Sequence, residues 1–218
     1  MTILTTLLAS VLLLVPLLAS ATTYYAAPGS SVTSCNTAQN PNTGGDLVTM
    51  VNNCWRSAGD SLLLRGGTYS NTNLHGFVNT NWPAGGTDFG AGAMTMAAYP
   101  GEVPVISPPG TAEAIIMVRN GWESGWNIQY IIIDGITFNA PNATAVVVKI
   151  DLGTRFIRFS NNIILGSLNA TCNCFGGGQN VSYPNSGTYG IEVLRNNISG
   201  CAGYGIYYNG TQSLFDGN

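Results

Sequence analysis

The chain has 218 residues, enough for one domain with a sizeable buried core. Only 8% of residues are charged and the net charge is −3, which gives no electrostatic reason to expect nucleic-acid binding and means that a strongly anionic polymer would need a local basic patch. Low charge with 28 glycines and abundant Asn and Thr suits stacked short strands with tight corners rather than amphipathic helices.

Residues 1–21 stand apart. Ile3 to Leu18 is an apolar run and Ala19-Ser20-Ala21 is a small-residue cleavage site, so a secretory signal is expected, with the mature chain beginning near Thr22. A membrane anchor is the alternative, and Pro16 and the shortness of the run argue against it. Thr22 to Gly29 reads as a short strand and a turn. Asp46 is placed as an N-cap, with Leu47, Met50, Val51, Cys54 and Trp55 on one helical face; this helix is expected to cover the open end of the first coil. Ser61 to Tyr69 follows as one strand, then a Gly-, Asn- and Thr-rich insertion at 70–93. Strands are expected at Met94 to Tyr99, Val103 to Ser107, Ala114 to Val118 and Val146 to Ile150, and a second insertion at 167–188. Tyr189 to Val193 and Tyr204 to Tyr208 read as successive copies of one strand position.

The organising stretch is Ile131-Ile132-Ile133-Asp134-Gly135-Ile136-Thr137-Phe138: two β-branched and aromatic runs meeting at an Asp-Gly corner. Similar corners return at Asn161, Asn196 and Asp216, at intervals of 27, 35 and 20 residues. Asp, Asn and Gly tolerate the left-handed backbone that a sharp turn needs, and such recurrence marks a solenoid. Residues 22–218 are therefore expected to form an all-β, right-handed parallel β-helix with an N-terminal capping α-helix. Asp134, Asn161, Asn196 and Asp216 are expected to stack as a turn ladder rather than act as acids or metal ligands. The chain stops inside a coil without a cap, so a C-terminal truncation or an end covered by a partner is expected.

Cys35, Cys54, Cys172, Cys174 and Cys201 make an odd set, in keeping with export. Cys35 with Cys54 is one sensible pair and Cys201 with Cys172 or Cys174 the other, which leaves one thiol. Sequons at Asn142, Asn169, Asn180, Asn197 and Asn209 would permit glycosylation, or arise by chance in an Asn- and Thr-rich chain.

Tyr24-Tyr25-Ala26-Ala27-Pro28-Gly29, Ala58-Gly59-Asp60 leading to Arg65-Gly66-Gly67-Thr68-Tyr69, Ala98-Tyr99-Pro100-Gly101-Glu102-Val103-Pro104-Val105-Ile106 and Ile133 to Phe138 occur in that order. The series resembles the N-terminal half of secreted β-helix polysaccharide lyases with the pectin-lyase-like fold, closest to pectate lyases, over about residues 22–165. The resemblance implies β-elimination of uronic-acid polysaccharides, assisted by Ca2+ held in an Asp cluster, with a Lys or Arg as base. The matched motifs belong to the scaffold, and neither that Asp cluster nor the catalytic set of β-helix polygalacturonases has a counterpart here.

Lys149 is the sole lysine. With Val146, Val148 and Ile150 inward, Val147 and Lys149 face out, and Lys149 aligns with Met117, Glu192 and Tyr207 in one outward column, Arg119 and Asp151 lying two positions along. Lys149 is the candidate base, with Arg119, Arg155 or Arg158 as neighbouring cations and Asp151 as a metal ligand; a solvated lysine on a polar face is the plainer alternative. Trp122 and Trp126 either stack on sugar or pack their loop onto the coil. His75 has no acid spaced for a triad. The expected protein is a secreted monomer, free of the membrane after signal cleavage, that cleaves or binds an acidic polysaccharide; a non-catalytic adhesion module is the alternative.

Overall fold

The computed structural model describes residues 21–35, 44–70, 86–108, 114–119, 128–151, 154–167, 172–177 and 188–218. Residues 1–20 of the expected signal segment, His75, Trp122 and Trp126 lie outside the described residues. Among the described residues the fold is all-β, with sixteen short strands and one short helical segment.

The strands cycle among three sheets. After β1 (Thr23–Ala26) the helical segment intervenes, followed by β2 (Ser61–Leu64) and β3 (Gly67–Tyr69). Four further rounds follow: β4 (Met94–Ala98), β5 (Pro104–Ile106) and β6 (Ile116–Arg119); β7 (Gln129–Asp134), β8 (Thr137–Asn139) and β9 (Val146–Asp151); β10 (Arg155–Ser160), β11 (Ile163–Leu165) and β12 (Asn173–Gly177); β13 (Glu192–Leu194), β14 (Asn197–Ser199) and β15 (Ile206–Tyr208). β16 (Leu214–Asp216) ends the series. Sheet A runs β1-β2-β4-β7-β10-β13-β16, sheet B β14-β11-β8-β5-β3 and sheet C β15-β12-β9-β6. Every pairing of these strands is parallel.

The core follows from this register. Leu62, Met96, Ile133, Phe159 and Val193 share one row of sheet A, and all five are fully buried. Phe159 meets Phe175 of sheet C edge to face at 5.4 Å, so the sheets close on one apolar interior. Burying each such side chain contributes about 1.5–3 kcal/mol.

Asp46 caps the helical segment, its carboxylate accepting from Thr49 N at 2.9 Å. The helix is shorter than the expected one: an α-turn over Leu47–Thr49 runs into a π-turn over Met50–Cys54. Its apolar face matches expectation, since Leu47, Met50, Val51, Cys54 and Trp55 are all buried. Asp60, 2% exposed, anchors the segment through Arg56 N, Ser57 N and Thr22 N. Cys35 is bonded to Cys54 and Cys174 to Cys201, while Cys172 is a free, buried thiol.

Three expectations need correction. Ser61 to Tyr69 is two strands, because the chain turns at Arg65-Gly66. The segment 167–188 is not all insertion, since β12 lies within it. Tyr189 to Val193 and Tyr204 to Tyr208 are not copies of one position: Glu192–Leu194 belongs to sheet A and Ile206–Tyr208 to sheet C.

The turn ladder contains Asn196 as expected, but its other members lie one or two residues on from Asp134, Asn161 and Asp216. Asp134 pairs with Ser160 and Asp216 with Leu194, so Asn161 and Asn196 are not in their row. Asn161 belongs with Gly135, Arg195 and Gly217, all at positive φ between 54° and 70°. The stacked amides are Asn162, Asn196 and Asn218. Asn196 Oδ1 accepts from Asn162 N and Nδ2, both at 3.0 Å, and Asn218 Oδ1 accepts from Asn196 N at 3.0 Å and Nδ2 at 2.9 Å. Each amide also donates to the strand before it: Asn162 to Ile133 O at 2.9 Å, Asn196 to Phe159 O at 3.1 Å and Asn218 to Val193 O at 2.7 Å. Asp134 serves the corner from outside, accepting from Ser160 Oγ at 2.6 Å and Asn161 Nδ2 at 2.7 Å.

Candidate functional site

Sheet C carries most of the expected column. Parallel register places Met117, Lys149, Gly176 and Tyr207 side by side, and Arg119 beside Asp151. Glu192 is not there. Strand β12 supplies Gly176 at that level instead, and the sequence alone did not reveal this strand. On β9, Val147, Val148 and Ile150 enter the main core, whereas Val146 packs with Ala114 in a separate small cluster, so simple alternation fails at the start of the strand. Lys149 is half-buried.

Tyr207 is 56% exposed and Tyr204 64%, with rings 5.6 Å apart and inclined by only 28°. Between Tyr207 and Lys149 lies glycine, where a Cβ would meet Val146 Cγ2 at 3.1 Å. Two strand spacings, about 9.5 Å, therefore separate Tyr207 from the lysine, across a glycine that is itself buried beside Val146. A ring that stacks on tyrosine while its acidic substituent approaches an ammonium group would fit this spacing.

Glu192 sits on sheet A, where its Oε2 accepts from Arg158 Nε at 2.6 Å. The Arg158 guanidinium lies over the Phe89 ring, 4.1 Å from its centroid. Phe89 meets Tyr130 at 5.6 Å and 79°, Tyr130 stacks on Phe156 at 4.7 Å and 3°, and Phe156 meets Tyr189 at 5.2 Å and 88°. Tyr130 and Phe156 hold left-handed backbone, φ 54° and 52°, in a row continued by Gly190 and Gln212. For bulky residues that conformation costs about 1–2 kcal/mol each, close to the about 0.5–1.5 kcal/mol that each ring pair contributes. Stability alone leaves this choice of residues nearly neutral.

The scaffold motifs quoted above meet in space. Arg65 pairs with both Glu102 oxygens, donating from Nε at 2.8 Å and from its terminal nitrogen, while Gly66 N donates to Glu102 at 2.6 Å and Tyr99 lies under the guanidinium at 4.1 Å. The Arg65 hydrogen bond first, then the Gly66 N–H, hold the Glu102 carboxyl below its ordinary range. Burial pushes the Tyr69 phenol up, its hydroxyl lying 2.9 Å from both Ala26 O and Arg65 O. Burial also raises Tyr208, which donates to Thr188 Oγ1 at 3.0 Å. These groups join coils, and Tyr69 also lines a small pocket with Ala27, Asp46 and Leu47.

Among the described residues no group of three or more His, Cys, Asp or Glu side chains could hold a metal ion, so the calcium that the resemblance implies finds no ligand set among them. Two disulfides, and no helix among the described residues long and apolar enough to cross a membrane, are compatible with secretion. The Phe89–Tyr130–Phe156 row escaped sequence reasoning because its members lie on different coils; only the recurrence of an aromatic at the second residue of β7 and β10 hinted at it. The chain matches no protein-family model, no curated protein and no solved structure.

Proposed function

We propose that this chain is a secreted, right-handed parallel β-helix of the pectin-lyase-like kind that holds an acidic polysaccharide on the outer face of sheet C. Strands cycling A, B, C with every pairing parallel support the solenoid reading. The functional reading is carried by one observation, the stacked and exposed Tyr204–Tyr207 pair aligned with Lys149 across Gly176. Aromatic faces receive the apolar side of a sugar ring, and the lysine meets its carboxylate. Titration of the full chain with oligogalacturonates by calorimetry tests this. Tyr207→Ala should weaken binding about tenfold, equivalent to about 1.4 kcal/mol. An unchanged affinity for Tyr207→Ala would remove sheet C as the binding face.

A second reading, polysaccharide lyase, rests on the register that brings Lys149, Asp151 and Arg119 onto two adjacent strands. There the Lys149 amine would take the proton α to the uronate carboxylate as the glycosidic oxygen at the β carbon leaves, generating an unsaturated uronate. Ultraviolet absorbance growing on polygalacturonate or alginate with calcium would register that product. Activity that survived Lys149→Ala intact would displace the lysine from the role of base.

A further inference from the structure

We propose that the outer face of sheet A, around Arg158, Tyr130 and Tyr189, is a second contact for the same anionic polysaccharide, with uronate carboxylates and hydroxyls as the groups recognised. The inference takes its ligand class from the preceding reading and adds a face on a different sheet. Three observations carry it.

Arg158 is held still from two sides. Its guanidinium rests on Phe89 at 4.1 Å and its Nε is bound to Glu192 at 2.6 Å, yet its side chain stays 29% exposed and its two terminal nitrogens have no partner among the described residues. A planar guanidinium fixed in this way presents its free N–H groups in the fork that a carboxylate accepts, with little freedom left to lose on binding. The Tyr130 and Tyr189 hydroxyls likewise have no hydrogen-bond partner among the described residues and are not among the buried unsatisfied atoms; Tyr130 meets the Phe89 ring that carries the guanidinium, and Tyr189 continues the row through Phe156. Finally, the left-handed row accepts glycine at position 190, but places Tyr and Phe at 130 and 156, where their stacking roughly cancels the backbone cost. Strained positions filled this way persist where they serve a ligand, and a polar rim on an aromatic row suits a hydroxylated, carboxylated chain.

The decisive experiment is calorimetric titration of the full chain with oligogalacturonates, comparing wild type, Arg158→Gln, Tyr130→Phe and Tyr207→Ala, with a neutral galactan as control. Arg158→Gln should weaken oligogalacturonate binding about tenfold and leave galactan binding unchanged, because only the carboxylate contact is lost. Tyr130→Phe keeps the ring stack and the melting temperature and should weaken binding about threefold. Combining Arg158→Gln with Tyr207→Ala should multiply the two losses, as for independent sites. Wild-type affinity in both Arg158→Gln and Tyr130→Phe, with Tyr207→Ala still weakened, would overturn the second face and leave sheet C standing. Absence of any wild-type binding would overturn both. If Arg158→Gln failed to fold, the isosteric Tyr130→Phe would decide.

Discussion

The corner between sheets A and B and the connection between sheets B and C hold neighbouring coils together by different means. At the first, two residues separate β7 from β8, β10 from β11 and β13 from β14. A turn of constant length puts the same atoms over one another in each coil, so identical amides can bond in a column: Asn162, Asn196 and Asn218 do so. At the second, successive connections differ in length, and a covalent link, Cys174–Cys201, ties β12 to the connection after β14. Regularity permits a hydrogen-bonded ladder; irregular loops are free to vary and to carry exposed groups such as Tyr204.

Breaking the ladder should have the largest effect. Asn162→Ala leaves the buried Ile136 N–H and Ile133 C=O without their partner and cuts the side-chain bond to Asn196, while the backbone N–H bond to Asn196 Oδ1 remains. At about 1–3 kcal/mol for each stranded group, a loss of about 4 kcal/mol is expected, read as a lowered urea midpoint. A loss below about 1 kcal/mol would mean the column is decoration. Next, Cys174→Ser with Cys201→Ser opens a link spanning 27 residues and should cost about 3 kcal/mol, with the A-to-B corner keeping its slow amide hydrogen exchange. Equal loss of protection at both corners would show that the two devices are not separable.

The smallest effect concerns the Arg65–Glu102 pair, which joins the turn after β2 to the one after β4. The folded-state value for Glu102 is lowered, so its contribution is fully present above the ordinary carboxylate range and fades as pH falls through the lowered value. Melting temperature measured from neutral to strongly acid pH should therefore drop less steeply for Glu102→Gln than for wild type. Parallel curves would assign the acid sensitivity to other carboxylates.

Much of the fold was legible because its signals are local. The Ile131–Phe138 run shows two short strands and a sharp corner, Asp46 shows a cap, and the spacing of Leu47, Met50, Val51, Cys54 and Trp55 shows which face is buried. Lys149 and Tyr207 were rightly assigned to one column, since each lies on a strand with an apolar inner row. Glu192 was misplaced because β12 was missed, and three of the four ladder members, all but Asn196, were misaligned by one or two residues. Parallel register is decided by pairing between strands distant in sequence, and a shift of one residue exchanges inward for outward positions.

Taken by itself, the sequence determined that short parallel strands with left-handed corners would build this protein, because residue preference for a backbone conformation acts within a few positions. Which asparagines stack, which cysteine stays free, and which tyrosines, lysines and arginines share a face were decided only when the coils packed, because those choices depend on what lies about one strand spacing away in the neighbouring coil.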